Sequence, residues 1–163
     1  LLDLKHVTRA RGFTIVELLI VVSMLAVLTA IVVVPVRNYY KTRKLRASID
    51  QFRSTYQRAR MMAVRYGGLS ELIIDGPTAQ FWVEMDTSGT GTADTIGQVR
   101  DVSTVYLTME TDRKRLCFDA RGIPWRGKNG RGVPCQKPEG TVTFRLLDDS
   151  MSVSITALGK LSR

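Results

Sequence analysis

Histidine is almost missing from this chain: His6 is the only one, and none follows it. From residue 7 onward this excludes a Ser-His-Asp or Cys-His catalytic set and any metal held by imidazole. Cysteine is nearly as scarce, with only Cys117 and Cys135. If the folded part lies outside the cytoplasm, two cysteines and no others read as one disulfide; the alternatives are two buried free thiols or a redox pair. A bond between them would remove both as nucleophiles or zinc ligands. No glycine-rich phosphate loop is present, because Gly127–Gly132 lacks a Lys-Ser or Lys-Thr ending. The carboxylate pair Asp148-Asp149 stands between two apolar runs and reads as a turn. Neither an enzyme nor a bound cofactor or metal is expected.

What is abundant is positive charge, and it is segregated. The formal net charge is +9. Residues 37–66 carry nine basic side chains against one acidic, and residues 113–137 carry eight against one. Between them, residues 67–112 carry eight acidic side chains and one basic. Segregation of this kind points to an oriented surface or to assembly contacts.

The other dominant feature is the run Phe13–Val36, 24 residues with a single charge, Glu17, and a single proline, Pro35. About 20 apolar residues span a bilayer as a helix, so the run reads as membrane-spanning. It is longer than the apolar part of a secretory signal and lacks a small-residue cleavage site at its end. Lys5, Arg9 and Arg11 ahead of it favour a cytoplasmic N-terminus, although the flank after it is more basic still. Beyond Pro35, residues Leu45, Ile49, Phe52, Tyr56, Ala59, Ala63 and Tyr66 recur at spacings of four and three. This is one apolar stripe on a basic helix, suited to lie on a sheet, and Gly67-Gly68 ends it. One nearly continuous helix from Phe13 to Tyr66 would be roughly 80 Å long, with Pro35 a potential kink.

The remainder reads as β. Short apolar or alternating runs occur at Leu69–Ile74, Gln80–Met85, Thr104–Met109, Leu116–Phe118, Thr141–Leu147 and Ser152–Thr156. Asp75-Gly76-Pro77 and Asp148-Asp149-Ser150 are turn signals that predict two antiparallel hairpins. Residues 86–101, rich in Gly, Thr and Asp, read as a mobile surface loop, and Gly122–Gly140 as looser still without a Cys117–Cys135 link. The predicted fold class is α+β, with a long N-terminal helix on a small antiparallel, β-sandwich-like domain. The segments are a leader 1–12, a membrane or core helix 13–36, an amphipathic helix 37–66 and a β-rich domain 67–163.

Glu17 is the residue that requires a function, because a carboxylate within a membrane-spanning run is costly and ordinarily has a partner. The segment Arg11-Gly12-Phe13-Thr14-Ile15-Val16-Glu17-Leu18-Leu19 resembles the type III (prepilin) signal of type IV pilins and type II secretion pseudopilins. The resemblance implies cleavage between Gly12 and Phe13 by a membrane-embedded prepilin peptidase, followed by N-methylation of Phe13. It also implies that Glu17 pairs with the Phe13 amine of an adjacent subunit as the apolar helices pack into a filament core.

A broader resemblance, to the GspH/FimT group of minor pseudopilins and minor pilins, rests on three stretches. These are Gln57-Arg58-Ala59-Arg60-Met61-Met62-Ala63, Leu116-Cys117-Phe118-Asp119-Ala120-Arg121-Gly122 and Leu158-Gly159-Lys160-Leu161-Ser162-Arg163. Some pilin-side members bind DNA through a C-terminal Gly-Arg-x-Arg element. Here Lys160 takes the place of the first arginine, and Arg163 lies one residue beyond the second. Arg126, Lys128 and Arg131, with Trp125 among them, are further candidate phosphate contacts. The same basic loop could instead meet the acidic 67–112 region of a neighbouring subunit, and the basic 37–66 helix could lie against anionic headgroups. The reading is a minor pilin of a type IV pilus in the bacterial inner membrane, its C-terminal domain periplasmic or outside, with other pilins and DNA as partners. The alternatives are a type II secretion pseudopilin and an uncleaved single-pass protein with an extracytoplasmic binding domain.

Overall fold

A computed structural model describes residues 13–103 and 107–162, except for the side chains of residues 32–35, 37 and 38. The proposed leader, Gly12 and Arg163 therefore lie outside the described residues. The chain forms two compact units, Leu1–Tyr40 and Lys41–Arg163. One α-helix, α1 (Ile15–Tyr66), contributes to both.

Among the described residues of the first unit, α1 is mainly apolar on every side and exposed throughout. Phe13, Leu19, Leu25 and Ile31 are all more than half exposed. Its hydroxyls are satisfied within the helix: Ser23 Oγ donates to the Ile20 carbonyl at 2.8 Å and Thr29 Oγ1 to that of Leu25 at 2.6 Å. A helix apolar all round needs an apolar surrounding, supplied by lipid or by other helices. Among the described residues no helix is long and apolar enough to cross a membrane. The run read above as spanning includes residues 32–35, whose side chains are outside the described set.

In the second unit the predicted stripe is the face that α1 buries. Leu45, Ile49, Phe52, Tyr56, Ala59 and Ala63 are each 2% exposed or less. Tyr66, the last residue of the helix, departs from the expectation and is 51% exposed. The end is a left-handed glycine cap: Gly67 has φ 62°, and the Gly68 N–H reaches back to the Ala63 carbonyl at 3.2 Å.

Ten strands follow among the described residues: β1 (Ser70–Asp75), β2 (Gln80–Met85), β3 (Asp94–Thr95), β4 (Arg100–Asp101), β5 (Leu107–Thr111), β6 (Arg115–Phe118), β7 (Pro124–Trp125), β8 (Gly140–Leu146), β9 (Asp149–Ile155) and β10 (Leu161–Ser162). They form two antiparallel sheets, one ordered β3-β2-β1-β6-β7 with β4 also on β2, the other β10-β9-β8-β5. Both predicted hairpins are present, β1–β2 and β8–β9. The second turns one residue earlier than expected. Leu146 pairs with Asp149, so Leu147 and Asp148 make the turn, Leu147 takes φ 56°, and Asp149 and Ser150 belong to the strand. The predicted strand from Thr104 is seen from Leu107, since residues 104–106 are outside the described ones.

One core joins helix and sheets. The Phe52 ring packs edge-on against Phe81 of β2 at 5.5 Å and against Phe144 of β8 at 6.2 Å. Tyr56 meets Phe118 of β6 at 5.1 Å. A fully buried side chain of this size is worth about 1.5–3 kcal/mol, and Phe52 applies that energy to both sheets at once.

Candidate functional site

Thr14 caps the helix: its Oγ1 accepts the Glu17 N–H at 3.2 Å, and its carbonyl accepts the Leu18 N–H at 3.1 Å. Thr14-Ile15-Val16-Glu17 thus has the spacing of a capping box, with Glu17 in the first turn, where the helix dipole favours a negative charge. The capping role of Thr14 was not read from the sequence, where its signal was a threonine three residues before a glutamate at the head of an apolar run. Phe13, one residue ahead, is 73% exposed.

The cysteines are bonded, with Cα atoms 5.6 Å apart. The bond fixes the stretch read as loose, and a second device fixes it further. Glu71 of β1, a buried carboxylate, accepts from Arg115 Nη1, from Arg131 Nη2 at 2.9 Å and from Asn129 Nδ2 at 2.8 Å. Arg131 also pairs with Glu84 of β2 at 3.1 Å. Two carboxylates and two guanidiniums therefore neutralise one another, which is how buried charge is tolerated. Asn129, itself buried, accepts the N–H groups of Arg131 and Val133 on its side-chain oxygen. Neither Glu71 nor Asn129 was singled out in the sequence. The signals were a charge within the apolar run Ser70–Asp75 and an Asn-Gly turn pair at Asn129-Gly130.

The candidate phosphate contacts have different fates. Arg131 is committed to Glu71 and Glu84. Arg126 faces Glu139 at 3.5 Å with both side chains about half exposed, a pair worth little in solvent. Lys128 is exposed, and Trp125 is 43% exposed. Lys160 is exposed on a tight turn in which Thr156 N–H donates to the Lys160 carbonyl at 2.9 Å and Gly159 N–H to that of Thr156 at 2.8 Å. Gly159 is required there. Its φ is +72°, and a Cβ would come within 2.3 Å of Pro124 Cγ. Its carbonyl accepts the Tyr56 hydroxyl at 2.9 Å. Burial, opposed by the nearby Arg60 charge, pushes the Tyr56 phenol up to about 12, so it remains a donor.

The loop 86–101 is braced, contrary to the reading of a mobile segment. Asp86 accepts the backbone N–H groups of Ser88, Gly89, Thr90 and Gly91, and Asp94–Thr95 and Arg100–Asp101 pair onto β2. The bond from Gly91 leads the causes that hold the Asp86 carboxyl below its usual range. No cluster of three metal-ligating side chains occurs among the described residues.

Residues 7–33 match the prokaryotic N-terminal methylation motif. The fold is similar to that of the type IV minor pilin FimU of Pseudomonas aeruginosa strain PAO1 in two crystal forms. In one the TM-score is 0.54 at 17% identity, over 76% of this chain and 90% of that one. The fold is type IV pilin-like. The other crystal form gives a TM-score of 0.50 at 18% identity, over 72% and 90% of the two chains. No curated protein matches the sequence. The motif covers the capped start of the apolar helix.

Proposed function

We propose that this chain is a minor pilin precursor, cut between Gly12 and Phe13, N-methylated on Phe13 and assembled into, or priming, a type IV filament. The observation that carries the reading is the lone carboxylate, Glu17, in the first turn of a bare apolar helix that begins two residues after Phe13, inside the matched methylation motif. In this reading the structural subunit works with a prepilin peptidase, other pilins and the inner membrane. The domains follow the same division: leader 1–12, core helix 13–36, helix 37–66 and β domain 67–163. The fold similarity to FimU supports the pilin side over the secretion pseudopilin. The test is N-terminal mass and sequence. A mature chain beginning at methylated Phe13 is expected, and Gly12→Trp should abolish cleavage. Efficient processing of that variant would overturn the signal, and an uncut native chain would favour the single-pass alternative.

Within the same proposal, Lys160 and Arg163 are the tail cations through which DNA would be held, because Lys160 is exposed on a turn anchored to α1. Duplex DNA binding across a salt series is expected to weaken steeply as salt rises. Lys160→Ala with Arg163→Ala should lower affinity at low salt by about fivefold or more, in line with the loss of two phosphate contacts. Arg126 and Lys128 are the secondary contacts, tested by neutralising both. Affinity unaffected by either pair of changes would assign the cations to assembly.

A further inference from the structure

The arginines of the cysteine loop are largely paired within the chain, whereas those on one flank of α1 are not. Arg113, Arg115, Arg121, Arg126, Arg131 and Arg145 each face a carboxylate. Arg46, Arg53 and Arg60 have no ion-pair partner among the described residues. They recur every seven residues, so they form one row with roughly 10 Å between successive members along the helix axis. Two clefts lie on this row. One, of about 250 Å³, is lined by Arg46, Ile49, Asp50 and Arg53. The Nε–H of Arg53 is buried without an acceptor among the described residues. The other, of about 410 Å³, lies between the helix and Gly122. Its apolar members Met61 and Val64 are 62% and 55% exposed. A mixed apolar and guanidinium face of this kind suits a protein surface better than a bare phosphate backbone, since arginine and methionine are enriched at protein interfaces.

The complementary surface is on the same chain, where it cannot reach the row. Asp94 and Asp101 are exposed carboxylates on β3 and β4, with Val99 47% exposed between them. β3 and β4 lie along one edge of their sheet, and β7, reached through Gly122, lies at the other. The helix separates them as well. Gly97 sits against Arg58, where a Cβ would come within 2.6 Å of Nη1. Arg60, which donates to the Gly122 carbonyl at 2.9 Å, points about 160° away from Arg58 round the helix. The basic and acidic faces thus lie on opposite flanks of one domain.

We propose that the Arg46–Arg53–Arg60 row, with the Met61–Val64 cleft, docks the Asp94–Asp101 loop of a second copy of this chain. Opposite faces on opposite flanks make a head-to-tail contact, which runs on from copy to copy unless its rotation closes a ring. The contact takes its setting from the filament reading but is tested apart from it, since cleavage is read from the N-terminus and docking from charge exchange.

The experiment uses the full chain in detergent micelles, with self-association followed by sedimentation over a concentration and salt series. The wild type is expected to associate at low salt and to dissociate as salt rises. Arg53→Glu with Arg60→Glu should weaken association about tenfold, and Asp94→Lys with Asp101→Lys should do the same. A chain carrying all four changes should recover to within about threefold of the wild type, the signature of direct pairing. Disulfide closure and circular dichroism report that each variant is folded. A wild-type chain that stays monomeric at low salt, folded reversals without effect, or a quadruple variant that does not recover would each overturn the contact.

Discussion

Glu17→Ala is expected to leave cleavage after Gly12 intact and to lower incorporation into filaments at least about tenfold, measured as the ratio of this subunit in sheared filaments to that in membranes. The size of the effect separates two roles for the carboxylate. As a first-turn acid it contributes about 0.3–1 kcal/mol to the helix, too little to abolish assembly. As a charge within an apolar surrounding it costs about 2.5–3.5 kcal/mol, and a neighbouring Phe13 amine would offset that cost while setting the register between helices. Glu17→Gln distinguishes the two, because glutamine keeps the capping-box geometry and discards the charge. If Gln assembles normally and Ala does not, the cap is the function. If both fail, the ion pair is. Normal assembly of both would remove Glu17 from the mechanism.

Glu71→Ala is expected to damage the β domain severely, costing about 3–5 kcal/mol, because it leaves Arg115 without a carboxylate, Arg131 with Glu84 alone and the Asn129 amide without its acceptor. Reversible denaturation of the oxidised chain measures it. Breaking the disulfide is worth about 3 kcal/mol by comparison. Since Glu71 and the disulfide both hold the 115–135 segment, the double change should cost less than the sum of the singles. A cost below about 1 kcal/mol for Glu71→Ala would show that the segment is held by the disulfide alone, that being the range of exposed pairs.

The parts of this fold that were legible from sequence are those with a short period. The buried stripe of α1 follows spacings of three and four, and the strands at Gln80–Met85 and Leu116–Phe118 announce themselves by alternation or by β-branched and aromatic content. What escaped is either too short or too distant. β3, β4, β7 and β10 have two residues each, fewer than any periodicity can register. Asp149 was assigned to a turn by its residue type, yet it pairs with Leu146 because Leu147 accepts a left-handed backbone. Arg131 was read as a candidate phosphate contact because its acceptors lie far away in the chain, Glu71 being 60 residues off. Arg46, Arg53 and Arg60 were visible as charge but not as a row, since a seven-residue repeat acquires meaning only once the buried stripe fixes which flank faces out. At the N-terminus, Glu17 was singled out as a charge within an apolar run, and the Gly12-Phe13 junction by the resemblance to a prepilin signal.

The bond from Tyr56 to Gly159 spans 103 residues, and the stripe that carries Tyr56 is covered in part by Val153 and Ile155 of β9. Synthesis at about 5–20 residues per second places roughly 5–20 s between the emergence of the helix and that of its last covering strand. During that interval β2 and β6 can cover part of the stripe through Phe81 and Phe118, but Phe144, Val153, Ile155 and the Gly159 carbonyl are still missing from it. The domain therefore completes its core late, part of its apolar stripe waiting on β9 and the Gly159 turn, so Leu45–Ala63 is the apolar segment of the nascent protein that stays partly uncovered longest.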